Sequence, residues 1–135
     1  MIIRRIFAFL IDIVIATLFS IIPIPFISGL IAFLYMLLRD GLTDRGSIGK
    51  GILNLQVMTL SGQRLSYEES IRRNIIFAIP SIFYIIPLVG GILALLFGLI
   101  VYVIELLAMN SSPKGQRNGD RWAGTVVQDA PIYYR

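Results

Sequence analysis

The sequence predicts an all-α membrane protein, with four transmembrane helices as two hairpins and a small cytoplasmic β-hairpin-like connection between them. Three observations carry this. The 135-residue chain is only 15% charged, where a soluble domain carries roughly 25%. Its mean hydropathy is +0.80. The charges are also segregated: between Ile6 and Leu38 only Asp12 is charged, and between Asn74 and Pro113 only Glu105. Each apolar run exceeds the roughly 20 residues that span a bilayer as one helix, so each is expected to fold back on itself. Residues 1–135 read as one membrane domain.

The elements follow in order. A first helix is expected near 4–22, ended by Pro23-Ile24-Pro25, where two rings remove amide donors and force a turn. A second follows near 26–40; its apolar stretch from Phe26 to Leu38 is only about 20 Å long at helical rise. In the connection 41–69, Leu53, Leu55, Val57 and Thr59 alternate with Asn54, Gln56 and Met58. That is a strand pattern, with a turn at Ser61-Gly62 and a return through Arg64-Leu65. Ser66 and Glu69 have capping-box spacing and start the third helix, near 70–88, with a kink expected at Pro80-Ser81. Pro87 and Gly90-Gly91 make the second tight turn, and the fourth helix runs near 91–109. In the tail, 110–135, Thr125-Val126-Val127 offers a second strand that could pair with 53–59. Trp122, Tyr133 and Tyr134 suit the membrane interface.

Lysine and arginine occur only at Arg4 and Arg5, in the stretch 39–73, and after Asn110. The positive-inside rule then puts both termini and the connection in the cytoplasm, at the plasma (inner) membrane. Asp12 within the first apolar run, and the lack of an A-x-A pattern, argue against a cleaved signal peptide.

Several function classes are excluded. The chain has no cysteine and no histidine, so disulfides, thiol chemistry, a Ser–His–Asp hydrolase and the commonest transition-metal ligand are absent. The glycines around Lys50 (Gly46, Gly49, Gly51) lack phosphate-loop spacing. No cofactor, nucleic-acid partner or enzymatic role is expected.

What remains is two stripes. Ala8, Asp12, Ala16 and Ser20 recur every four residues, with Arg5 two turns before Asp12. Gly90, Ala94 and Gly98 form a small-residue stripe suited to close helix packing, with Glu105 seven residues further on. Asp12 and Glu105 lie at similar depth and are the candidate proton- or cation-binding carboxylates. A charged group at that depth marks an ion pathway or a buried ion pair, for example Asp12 with Arg5.

These residues also carry a resemblance. Arg5 to Asp12, Gly46-Ser47-Ile48-Gly49-Lys50 with Leu53, Leu55 and Val57, Arg73-Asn74, and Gly119 to Val127 together resemble the RDD family of small membrane proteins, named for one arginine and two aspartates. The resemblance implies Arg5, Asp12 and Asp120 as the naming residues. The glutamine common before Ser in the family is replaced here by Gly46. It also implies a membrane role connected with transport, some members being similar to sodium/proton antiporters. Asp120 lies outside the apolar runs and is expected at a turn or helix N-cap, a structural position, as are Arg5, Arg73 and Asn74.

Two functional expectations result. One is a secondary transporter exchanging monovalent cations and protons at Asp12, working as a homo-oligomer or with a hetero-partner in the lipid bilayer. The other is a non-catalytic membrane module that binds a partner protein or anionic lipid through its basic cytoplasmic face.

Overall fold

The first helix, α1 (Ile2–Leu18), passes through a 3-10 turn at Phe19–Ile21 into a proline turn and then α2 (Pro25–Leu38). This is a computed structural model, which describes residues 1–86 and 88–131, apart from the side chains of Ser20 and Pro25. Ile22 and Ile24 each precede a proline and are both extended, as steric contact with the proline ring demands. Pro25 then opens α2 at the position where a missing N–H costs nothing. The Pro23-Ile24-Pro25 turn therefore lies where the sequence puts it. Pro87, Tyr133, Tyr134 and the side chain of Ser20 lie outside what is described.

After α2, a 3-10 turn (Arg39–Gly41) and a short helix α3 (Ile48–Ile52) lead to strand β1 (Leu55–Thr59). The expected return through Arg64 makes one isolated bridge to Met58. The full strand partner of β1 is instead the tail strand β2 (Thr125–Asp129), antiparallel, with Val57 opposite Val127. So the small sheet joins the connection to the tail, and is not a local hairpin.

Helix α4 (Tyr67–Ala78) starts on the expected capping box: the Ser66 N–H donates to Glu69 Oε2 at 2.6 Å, and the Glu69 N–H donates to Ser66 Oγ. It does not continue as a kinked helix to 88. Pro80 has no N–H for an α-helical bond, so the chain tightens into 3-10 turns over Ile79–Ile85. The longest helix, α5 (Gly90–Ser111), is followed by the short α6 (Asn118–Ala123).

The described chain is thus mostly helical with one two-stranded antiparallel sheet. Among the described residues one helix, α5, is long and apolar enough to cross a membrane, with mean hydropathy 2.7 over its window. Only 17% of that window is buried, the opposite of a soluble core helix. Helices α1, α2 and α4 are shorter than expected because 3-10 turns end them.

The apolar surface is disposed accordingly. On α1, Ile3, Phe7, Leu10, Val14 and Leu18 are exposed at helical spacing, while Arg5, Ala8, Asp12 and Ala16 are buried on the other face. Soluble monomers rarely expose apolar surface on this scale. One inner cluster packs Phe9, Ala16, Ala32, Tyr35, Met36, Phe77 and Ala78 between α1, α2 and α4. A second packs Ala8 against Leu55, Val57, Leu65 and Val127 of the sheet side. Arg5 and Asp12 flank this junction on α1.

Candidate functional site

Where α1, the Arg39–Gly41 turn, α3, α4 and the start of α6 meet, the fold buries a set of charged or amide side chains. Arg5, Asp12, Arg39, Asp40, Lys50, Arg73, Asn74, Arg117 and Asp120 are each at most 7% exposed. Asp120 lies on α6, where its carboxylate accepts from the Arg117 N–H and so caps the helix start. It also meets Arg5 Nη2 at 2.7 Å, Arg73 Nη2 at 2.9 Å and Arg117 Nη2 at 3.1 Å. Burial opposes ionisation of this carboxyl, but the guanidiniums of Arg117, Arg73 and Arg5 outweigh it and hold the group below the usual carboxylate range. The sequence suggests a turn or helix N-cap at Asp120; the structure places it at the third position of α6, with Arg117 at the N-cap, inside a threefold arginine clasp not visible in the sequence.

Arg73 reaches two carboxylates at once, Asp40 Oδ2 at 2.9 Å through Nε and Asp120 Oδ1 at 2.9 Å through Nη2, while Nη1 donates to Thr125 Oγ1 at 3.0 Å. Asn74 donates to Asp40 Oδ2 at 2.8 Å and accepts from Arg39 Nη2 at 3.4 Å. The Lys50 ammonium closes on Asp40 Oδ1. Burial drives the Lys50 amine down to about 7, against the pull of Asp40, with Arg73 and Arg39 adding to the fall.

Asp12 is 1% exposed and pairs with Arg39, not Arg5, at 3.3 Å. The reason is the helix phase: Arg5 turns toward Asp120 and Gly115, leaving Asp12 to the Arg39 side chain that α2 delivers. Tyr35 Oη donates to Asp12 Oδ1 at 3.1 Å and the Gly49 N–H donates to the same oxygen at 3.0 Å. Gly49 has to be glycine for this contact, because a Cβ there would lie 2.1 Å from the Ala8 carbonyl oxygen. Arg39 stacks over Phe9 at 5.0 Å, and its Nε is buried with no hydrogen-bond partner among the described residues.

Glu105 stays apart from Asp12. It is 2% exposed on α5, accepts from Asn118 Nδ2 at 3.3 Å through Oε1, and leaves Oε2 without a hydrogen bond. Between the helices that carry the two carboxylates, Phe9 of α1 and Tyr102 of α5 stack at 4.5 Å.

The small-residue stripe divides as well. Gly90 packs within the chain: a Cβ there would lie 2.0 Å from the Phe83 carbonyl oxygen. Ala94 is buried, but Gly98 has nothing within 4 Å and lines an apolar cavity of about 150 Å³ between α1 and α5.

Arg5, Asp12, Arg39, Lys50 and Arg117, with Phe9 of α1 and Tyr102, Leu106 and Met109 of α5, line a second cavity, of about 20 Å³, where the charge cluster faces α5. A cavity needs about 10–15 Å³ to hold one water. Among the described residues no group of acidic side chains suits a metal ion. Sequence reasoning missed Arg39, Asp40, Lys50 and Arg117 as members. The available signal was Gly49-Lys50, a lysine beside a glycine that the fold presses against α1.

The RDD family model matches residues 19–124. The chain belongs to the RDD family. The match covers Asp40, Lys50, Arg73, Asn74 and Asp120, while Arg5 and Asp12 precede it. No curated protein and no solved structure matches the chain. RDD membership and the exposed apolar α5 are consistent with a membrane protein. In this RDD chain the buried charged residues are not aligned along one helix; α1, the Arg39–Gly41 turn, α3, α4 and α6 each contribute to the cluster.

Proposed function

We propose that this RDD protein is a secondary transport module that moves small ions, with protons as one of the exchanged species, at its buried charge cluster. In this reading four helical segments (near 4–22, 26–40, 70–88 and 91–109) cross the membrane as two hairpins. The termini, the connection 41–69 and the tail 110–135 lie on the cytoplasmic face of the plasma membrane. The observation that carries it is Asp12: a carboxylate 1% exposed, midway along an apolar helix, beside a cavity of about 20 Å³. Ionisable groups placed so deeply are costly and are usually retained for ion or proton movement. Asp12 would exchange Arg39 for a cation or a proton, and Glu105, with one oxygen unbonded, is the second candidate. At the charge cluster the four short segments enclose only about 20 Å³, so transport calls for a homo-oligomer or a hetero-partner.

The test is flux in vesicles made with purified protein: cation-driven proton movement is expected in the wild type and lost in Asp12→Asn. Topology is checked with single cysteines, since the chain has none of its own. Leu88→Cys, at a 99% exposed site, should react with an impermeant thiol reagent from outside, and Gln63→Cys should not. External labelling of Gln63→Cys would end the two-hairpin reading.

One observation favours a second reading, a non-catalytic membrane module. Each aspartate of the cluster bridges separate elements: Asp12 ties α1 to α2 and α3, Asp40 meets α3 and α4, and Asp120 meets α1 and α4. Such a staple would present the exposed Arg64, Arg72, Lys114, Arg121 and Trp122 to a partner protein or to anionic lipid. Vesicles that show no flux, with binding that rises with anionic lipid content, would select it.

A further inference from the structure

We propose that the cavity in the charge cluster is a binding site for one small monoatomic anion of the halide class. Four cationic side chains, Arg5, Arg39, Lys50 and Arg117, line it, against one carboxylate, Asp12. That carboxylate is already occupied by Arg39, Tyr35 Oη and the Gly49 N–H. A cation entering the cavity would meet four like charges and no free acceptor among these lining groups. An anion would meet the reverse.

The wider cluster has the same sign. Arg73 joins the four lining cations, and the ion-paired carboxylates are Asp12, Asp40 and Asp120. Glu105 makes no ion pair within 4 Å among the described residues, and its Oε1 is held by Asn118. Below about pH 7, where Lys50 is protonated, five buried cations face four buried carboxylates, Glu105 included, which leaves one positive charge uncompensated, and an uncompensated buried charge is costly. Arg39 adds a donor: its Nε is buried, the residue is 1% exposed, and no acceptor among the described residues reaches it. Buried donors without partners are rare in folded proteins and point to an unseen acceptor.

Size selects the class. About 20 Å³ accommodates one water or an ion of similar radius. Phosphate, sulfate and carboxylate ligands carry several heavy atoms and do not fit. The inference stands apart from the transport proposal, since it concerns binding and is read without a membrane potential or flux.

The experiment uses the full chain in detergent. Equilibrium binding of radioactive chloride, with bromide as competitor, is measured beside thermal melts in sodium chloride and in sodium gluconate at equal ionic strength. Saturable chloride binding near one per chain is expected, with a melting temperature that rises and levels off in chloride but not in gluconate. Lys50→Gln should weaken chloride binding at least tenfold, because Asp40 keeps Arg73 and Asn74 as partners. Arg121→Gln, an exposed cation on α6, should bind chloride as the wild type does. If Lys50→Gln does not fold, the wild-type binding isotherm decides alone. Absent saturable binding, or equal loss in the Arg121→Gln control, would overturn the proposal and leave the cavity to water.

Discussion

Arg5 Nη2 lies 2.7 Å from Asp120 Oδ2, joining the start of the first helix to the tail across 115 positions of chain. This contact closes the cap over the helices. Other ties on α6 and β2 are the packing of α6 on α4, Asn118 on Glu105 of α5, Arg4 on Asp129, and the pairing of β2 with β1.

Asp120→Asn should therefore be the most damaging single change in the cluster. It strips charge from the shared partner of Arg5, Arg73 and Arg117, and breaking a buried pair by removing one side costs about 3–5 kcal/mol. Denaturant melts should show a loss of that order. Neutralising Arg5 as well should not recover it, since two guanidiniums remain. The wild type should also lose stability in acid: a carboxyl held below its ordinary 3.8 stabilises above that pH and stops doing so as the pH falls through its lowered value. Asp120→Asn should show less of this acid dependence.

Asp12 behaves differently because its one ion-pair partner among the described residues is Arg39. Asp12→Asn keeps a group able to accept from Tyr35 and Gly49, but leaves Arg39 charged and buried. It should lower the melting temperature, and Arg39→Gln in the same chain should restore much of the loss. Arg5→Gln should not restore it, since Arg5 serves Asp120. Recovery with Arg5→Gln would contradict the observed pairing.

Gly49→Ala and Gly51→Ala test the seat of α3. The first puts a Cβ 2.1 Å from the Ala8 carbonyl oxygen and should push α3 off α1, costing about 1–3 kcal/mol as overpacked sites do. The second meets nothing within 4 Å, so it should be neutral or stabilise by about 0.4–1 kcal/mol. Equal effects in a melting experiment would rule out the close approach.

Lys50 sets a pH dependence of the same sign as that of Asp120, in a higher pH window. Asp40, Arg73, Arg39 and Asp12 surround it, and burial leads the fall of its amine from 10.5 to about 7. Between those values the unfolded chain holds a proton that the folded chain has released, so stability rises with pH in that window. The slope should reach at most about 1.4 kcal/mol per pH unit. Below 7 both states are protonated and the dependence from this group ends. Lys50→Met should flatten the rise between pH 7 and 10.

What the residues determined by themselves is local. The separation of charge into two apolar runs, the turn at Pro23-Ile24-Pro25, the Ser66–Glu69 cap and the strand at 55–59 each depend on neighbours within a few positions. Backbone sterics, missing amide donors and side-chain alternation act at that range, so the pattern alone suffices. The tertiary structure decided which cation meets which carboxylate. Arg39 finds Asp12 over 27 positions and Arg5 finds Asp120 over 115, and nothing local distinguishes those partners from Arg5 with Asp12. Helix phase and the contact of Gly49 with α1 settle it, because they fix which faces are turned inward when the chain closes. Lys50, in a stretch that looked like a polar connection, enters the cluster for the same reason: α3 lies directly on the α1 backbone, and desolvation there, not sequence, gives its amine an unusual charge balance.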